Sequence, residues 1–264
     1  MTKVQTETIV MIGAGNLATS LAPALRKTGF KILQVYSRTK ESAVSLANKL
    51  NCDYTNSIDK IRDDADIYFL VLTDNVSLSF INEFCFPNAL IVHTSGGLDM
   101  SIFEKHSKSY GVFYPVQTFS KNVELDFRDI PICIEASNSN IEKKLLDIAE
   151  RLSDRCVTID SAQRKYLHTA AVFACNFVNH MYEISSDILR EAELPFNLLH
   201  PLIRETAEKA MKNPPHEVQT GPARRNDRIV INEHLKLLAS MKHYQNIYNE
   251  LSLSIKSIYK EDFK

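Results

Sequence analysis

The string Gly13-Ala14-Gly15-Asn16-Leu17-Ala18 spaces its small residues as G-x-G-x-x-A, a pattern that suits a diphosphate. Phosphate oxygens need close backbone approach and free N–H groups. A glycine turn feeding a helix N-terminus provides both, together with the positive end of the helix dipole. Glycine is scarce here: seven in 264 residues, well under the usual share of about 7%. Four of the seven form two pairs, Gly13/Gly15 and Gly96/Gly97, so each is expected to answer a backbone need. The plainer reading of the first pair is an ordinary tight turn. The apolar strand before it and the helix and second strand after it favour a nucleotide site.

An NAD-specific site places a carboxylate on the ribose hydroxyls about 20 residues past the glycines. This chain ends its second strand with Ser37-Arg38-Thr39-Lys40 instead. A hydroxyl and a guanidinium there suit a 2′-phosphate, which an Asp would repel, so NADP is expected over NAD. The competing reading is that Arg38 and Lys40 merely begin a solvated helix. Further along, Leu72-Thr73-Asp74 and Thr94-Ser95-Gly96 fall at the carboxyl ends of strands, where open α/β sheets bind ligands. Gly96-Gly97 would serve equally in a structural turn, and His93 as a paired buried histidine.

Between Tyr166 and Met181 the sequence is apolar nearly all round, which predicts a buried central helix. At about 100° per residue, Lys165, His168, Asn176 and Asn179 fall within an arc of about 80°. Buried amides and imidazoles need partners, and a substrate cleft between domains would supply them. For hydride transfer between a nicotinamide and a carbonyl or imine, His168 or Lys165 is a candidate proton donor, and Asn176 and Asn179 are candidates to orient the substrate. A polar seam pairing with another helix or a second subunit is the bland alternative. Gln117 and Thr118, after the short strand that ends at Tyr114-Pro115, are candidate substrate or carboxamide contacts. Arg224 and Arg225, beside Gly221-Pro222, are candidates for a substrate carboxylate or plain surface charge.

These residues need a scaffold, and the pattern describes one. Apolar runs at 8–12, 32–36, 67–72 and 90–92, with amphipathic helices between the first of them, build a doubly wound, mostly parallel α/β sheet of Rossmann type. Segments 111–114, 131–135 and 157–159 extend it, with a helix at 141–152. From Asp160 onward the alternation vanishes: Asp160-Ser161-Ala162-Gln163 can cap a helix running to about Glu191, followed by helices near 197–212, 228–240 and 243–259. The expected organisation is a dinucleotide-binding domain over 1–160 and an all-helical substrate and dimerisation domain over 161–264.

Composition narrows the classes. Thirty-one basic and 32 acidic side chains leave a net charge of −1, which gives no support to non-specific nucleic-acid binding. No apolar run approaches the roughly 18 residues of a membrane span, and the opening MTKVQTE is polar, so a cytoplasmic protein is expected. The five cysteines (Cys52, Cys85, Cys133, Cys156, Cys175) lack C-x-x-C spacing; no disulfide framework or metal site is expected, and most read as small core residues.

Five stretches carry a resemblance: IGAGNLA (Ile12 to Ala18), HTSGG (His93 to Gly97), YPVQTFS (Tyr114 to Ser120), HTAAVFACNFVNH (His168 to His180) and QTGPARRND (Gln219 to Asp227). Together they resemble a family of NADP-dependent oxidoreductases in which a Rossmann-like domain precedes an uncharacterised helical domain, and the likeness spans nearly the whole chain. The layout is more distantly similar to pyrroline-5-carboxylate reductase, prephenate dehydrogenase and the hydroxyacid dehydrogenases. The resemblance implies NADP binding and a homodimer formed through the helical domain. It departs from the hydroxyacid dehydrogenases, whose catalytic Lys is followed closely by Asn; here Thr169 stands four residues after Lys165. The sequence therefore predicts an NADP(H)-dependent oxidoreductase for a small carbonyl, imine or hydroxy-acid compound at an interdomain cleft. A non-catalytic NADP-binding sensor is the alternative.

Overall fold

The run Thr8–Ile12 forms the central strand β1, and it is continuously apolar because both of its faces are covered. Ile9 and Met11 enter one core layer while Val10 and Ile12 enter the other. The structure is a computed structural model that describes residues 6–84, 89–121 and 123–260. Strands β2 (Lys31–Tyr36), β3 (Asp53–Thr55), β4 (Ile67–Leu70), β5 (Leu90–His93), β6 (Tyr110–Pro115), β7 (Ile132–Ala136) and β8 (Cys156–Thr158) complete one eight-stranded sheet, ordered β3-β2-β1-β4-β5-β6-β7-β8. Every neighbouring pair is parallel except β6 and β7. The fold is the expected α/β one: a mostly parallel Rossmann-like sheet followed by a helical region.

Helices α1 (Asn16–Lys27), α2 (Lys40–Leu50), α3 (Asp74–Glu83) and α4 (Ser139–Glu150) accompany the sheet. The connections leave β1 toward β2 and β3 on one side and resume at β4 on the other, so the direction of winding reverses between β1 and β4. That reversal opens a crevice at the carboxyl ends of these two strands, where the glycine turn and the segment from Val71 to Asp74 both lie. Two elements escape the sequence pattern. Strand β3 is three residues long with only Thr55 buried, and α3 buries only Ser77, Phe80 and Ile81, so neither presents a periodic apolar signal.

The long helix starts where the pattern predicts, with both halves of a capping box present: Gln163 N–H donates to Asp160 Oδ1 at 2.7 Å and Asp160 N–H to Gln163 Oε1 at 3.0 Å. It consists of α5 (Ser161–Ala171), a π-helical stretch from Val172 to Phe177, and α6 (Val178–Glu191). Its expected burial is not found. Tyr166, Phe173 and Phe177 are 82%, 65% and 48% exposed, and among the described residues only Arg164 in α5 and Ile184 in α6 are buried. An apolar composition permits burial but does not enforce it, because burial needs a covering surface. The π stretch also breaks the uniform 100° spacing on which the shared arc of Lys165, His168, Asn176 and Asn179 rests.

Strand-like patterning stops at residue 160, while the chain divides into compact units at 1–176 and 177–264. The first turns of the long helix stay with the sheet because Arg164 is anchored to it, as described below. In the second unit, α6 is joined by α7 (His200–Lys212), α8 (Arg228–Leu237) and α9 (Lys242–Ile258). Tyr244 Oη donates to Asp187 Oδ2 at 2.5 Å, tying α9 to α6, and His234 lies 2.9 Å from Tyr248, tying α8 to α9. Asp227 caps α8 by accepting from Val230 N–H at 3.1 Å.

Among the described cysteines Cys133 is buried in the core, Cys52 and Cys156 are partly buried and pack against it, and Cys175 is exposed on the π turn, so three of these four are the small core residues expected. Cys85 lies outside the described residues. Among the described residues no helix is long and apolar enough to cross a membrane.

Candidate functional site

The turn after β1 is built for close approach. Gly13 has φ +120°, and a Cβ there would stand 2.2 Å from the Val71 carbonyl oxygen, so strand β4's extension occupies the space a side chain needs. Gly13 N–H is spent on Tyr36 O at 2.8 Å. Gly15 is the opposite: a Cβ would meet nothing within 4 Å. It is the N-cap of α1, with no side-chain cap and no acidic residue in the first turn. Asn16 is exposed, Leu17 partly exposed and Ala14 buried. Uncapped amides over open space at the crevice fit a diphosphate.

The second strand's end fits a further phosphate. Ser37 is partly exposed and Arg38 and Thr39 are exposed; Thr39 is the N-cap of α2 without a side-chain cap bond. Among the described residues no carboxylate pairs with Arg38, leaving its guanidinium open to an anion. Across the crevice, Leu72 is partly exposed, and Thr73 and Asp74 are exposed at the start of α3.

After β5 the chain is held from within. Ser95 N–H donates to His93 Nδ1 at 3.1 Å, and Ser95 Oγ accepts from Gly97 N–H and Leu98 N–H, each at 3.0 Å. Thr94 is buried, with its hydroxyl 3.5 Å from Leu70 O. His93 is 0% exposed, and burial, reinforced by the nearby Arg164 charge, pushes its pKa down to about 3. It is a neutral core histidine with its proton on Nε2, for which the described residues offer no acceptor.

Gly96 has no positive φ; its reason is contact. A Cβ there would lie 2.6 Å from Cγ and Nδ1 of His168, so the imidazole rests directly on the loop. His168 Nδ1 is in turn 3.0 Å from Tyr114 Oη, with the two rings edge to face at 77° and 5.9 Å between centroids. Tyr114 lies at the carboxyl end of β6. Burial raises its pKa, the Cys133 thiol adds to that, and Arg164 opposes it, so the phenol stays protonated across the neutral range.

The helix that carries His168 is fastened by a buried ionic cluster. Arg164 is fully buried; its guanidinium meets Glu135 on β7, the Leu98 carbonyl, and Ser161 Oγ at 3.1 Å. Ser161 N–H and Oγ both donate to Glu135, at 2.9 and 2.8 Å. One turn of helix separates this anchor from His168, which places the ring. Lys165 takes a different course, paired with Asp99 at 3.1 Å. The Asp99 carboxyl is held down to about 2, first by Ser101 N–H, then by the Ser101 hydroxyl and Lys165.

Of the expected residues, then, the structure gathers Gly96 and His168, and separately Gly13 to Leu17 with the segment from Leu72. Gln117 and Thr118 are exposed, with Gln117 Oε1 accepting from Thr118 N–H at 2.8 Å. Asn176 is exposed at the end of the π stretch, and Asn179 belongs to the second unit. There Arg224 stacks 4.2 Å over the Tyr259 ring, and Arg225 is exposed. Tyr114, Glu135 and Arg164 were not foreseen. The available signals were a carboxylate closing the apolar run Ile132-Cys133-Ile134-Glu135 and an arginine in a helix's first turn.

Residues 8–94 match the family model described as NADP oxidoreductase, coenzyme F420-dependent, and residues 130–255 match a domain of unknown function, DUF2520. A Bacteroides fragilis protein named as an NADP oxidoreductase is 46% identical, with 96% of this chain and 98% of that one covered and a TM-score of 0.89. A Thermotoga maritima protein is 24% identical over 96% of this chain and 99% of its own, with a TM-score of 0.79. The reductive aminase of Aspergillus terreus, solved with NADPH and ethyl-5-oxohexanoate, shares the fold at 12% identity, 97% and 93% coverage and a TM-score of 0.69. No curated protein matches the chain. The glycine turn, the open Arg38 and the full-length likeness to the Bacteroides protein agree: this chain belongs to the NADP-dependent oxidoreductase family that joins a Rossmann-type domain to the DUF2520 domain.

Proposed function

We propose that this enzyme transfers hydride to or from a small carbonyl, imine or hydroxy-acid substrate held beside Gly96, Tyr114 and His168. The observation that carries the reading is the His168 ring seated on Gly96 and bonded to Tyr114, at the sheet edge where the glycine turn also lies. Reduced nicotinamide, when bound, supplies the hydride. Gly13, Ala14, Gly15, Asn16 and Leu17 hold the diphosphate; Ser37, Arg38 and Thr39 hold the 2′-phosphate. Leu72, Thr73, Asp74, Thr94 and Ser95 flank the remainder of the cofactor. The fold shared with a reductive aminase favours an imine or carbonyl among the three substrate classes.

The test is cofactor fluorescence followed by turnover. Wild type should bind NADPH at least tenfold more tightly than NADH, and Arg38→Ala should lose about tenfold for NADPH with little change for NADH, the effect of about one charge-assisted contact. Equal losses for both cofactors would show that Arg38 does not read the 2′-phosphate. Folded protein that binds NADPH and reduces no carbonyl or imine would be a sensor.

The second unit serves as the homodimer interface in this reading. Leu202, Met211, Ile229, Leu237 and Ile258 are 62%, 77%, 74%, 66% and 67% exposed there, an apolar excess that a soluble chain covers with a second copy. Sedimentation of wild type and of Met211→Asp checks it: a dimer for the first and a shift toward monomer for the second.

A further inference from the structure

We propose that Tyr114 is the proton donor of this site and that His168 stands behind it as the group that restores its proton. The inference deepens the oxidoreductase reading and rests on it. Three observations lead there. Tyr114 is the half-buried member of the pair and lies at the carboxyl edge of the sheet, whereas His168 is exposed and open to water. The one contact that the His168 ring nitrogens make among the described residues is at Nδ1, to Tyr114 Oη at 3.0 Å. And Gly96 leaves no freedom behind the ring: any side chain there would displace the imidazole, so the loop after β5 fixes the ring from below while the Arg164–Glu135 cluster fixes the helix that bears it. Lys165, the other candidate donor, is tied to Asp99.

With His168 protonated, Nδ1–H donates to Tyr114 Oη and turns the phenolic O–H outward to the substrate heteroatom. As the substrate carbon gains its electron pair with hydride from reduced nicotinamide, the Oη–H bond breaks and the heteroatom–H bond forms. The Nδ1 proton passes to Oη, leaving a neutral imidazole with its hydrogen on Nε2, and water returns the proton to Nδ1. The substrate gains one hydride and one proton, and the pair ends as it began. Neither family model covers Tyr114, since one ends at residue 94 and the other begins at 130.

The first experiment needs no turnover. Nitrogen-15 spectra of the histidine rings in full-length protein should show a hydrogen-bonded Nδ1 in His168, lost in Tyr114→Phe, which keeps the ring and its packing. The second measures NADPH oxidation with pyrroline, cyclohexanone and pyruvate. Tyr114→Phe should lower kcat by about 100-fold or more, the usual range for loss of a general acid, with NADPH affinity within about twofold. His168→Gln, which retains a hydrogen-bonding arm, should lower kcat by about tenfold and flatten its pH dependence. An unchanged His168 spectrum in Tyr114→Phe, or a Tyr114→Phe enzyme with wild-type kcat, overturns the assignment while leaving the oxidoreductase reading intact. Wild type that binds no NADPH, or binds it and oxidises none with any of the three compounds, overturns that reading and the assignment together.

Discussion

The two glycine pairs follow strands of the same sheet, yet they are glycine for different reasons. Gly13 is held at φ +120° with a backbone carbonyl where its Cβ would be, and Gly15 opens the start of α1 to solvent. Gly96 has an unexceptional φ and is crowded by a side chain 72 positions later in the sequence, and a Cβ at Gly97 would stand 3.0 Å from Asp74 Oδ2. The first pair shapes the main chain around an anion. The second clears room for an imidazole. A glycine-rich turn is thus a backbone device in one region and a side-chain device in the other, and substitutions should separate them.

The largest effect expected in the second region is on stability in acid. His93 is neutral in the folded protein down to about pH 3, whereas in the unfolded chain it takes a proton near the ordinary histidine value of 6.5. Between those values the unfolded state binds more protons, so stability is complete above about pH 6.5 and falls as pH is lowered toward 3. The slope is about 1.4 kcal/mol per pH unit, amounting to several kcal/mol across the window. Urea unfolding as a function of pH checks this, and His93→Asn should flatten the curve between pH 6 and 4. Asp99, whose pKa is held at about 2, adds a loss only below the ordinary aspartate value of 3.8. A wild-type curve that is flat from pH 6.5 to 4 would mean that His93 is hydrated and free to ionise.

Next in size is Gly13→Ala. Backbone atoms of Val71 cannot turn aside as a side chain can, and the left-handed conformation adds its own strain, so a loss of about 3 kcal/mol or more is expected. NADPH binding should disappear even at temperatures where the variant is folded, while the nitrogen-15 signature of the Tyr114–His168 bond persists. Retained cofactor affinity would place the diphosphate elsewhere.

The same contrast explains what was legible in the sequence. The β1 turn is a local pattern: six consecutive residues, an apolar strand before and an amphipathic helix after, so the fold and the cofactor could be read directly. The capping box at Asp160 to Gln163 and the helix end at Glu191 were legible on the same grounds. The pairing of Glu135 with Arg164, and of Tyr114 with His168, joins residues 29 and 54 positions apart. No spacing rule reaches that far, and only the antiparallel turn of β7 beside β6 brings Glu135 and Tyr114 to neighbouring strands. The long helix misled for another reason: its composition reports that it can be buried, and in this chain Tyr166 and Phe173 stay largely exposed.

Gly96→Ala is the smallest perturbation of stability and the sharpest of position. The added methyl meets the His168 ring at 2.6 Å and its Cβ at 2.9 Å; rotation about χ1 can carry the ring over an exposed surface, but the Cβ is fixed to the helix, so the loop or the helix must also give by a few tenths of an ångström. The stability loss should therefore be about 2 kcal/mol, in the middle of the range for an overfilled contact and below that of Gly13→Ala. Swinging the ring away breaks its bond to Tyr114, so the nitrogen-15 signature should vanish and kcat should fall to the level of His168→Gln. Gly13→Ala and Gly96→Ala then form a crossed pair, one silencing the cofactor with the proton couple intact, the other silencing the couple in a chain that keeps its cofactor. If Gly96→Ala kept the Tyr114–His168 signature, the loop would have yielded instead of the ring, and Gly96 would belong with Gly13 as a backbone device.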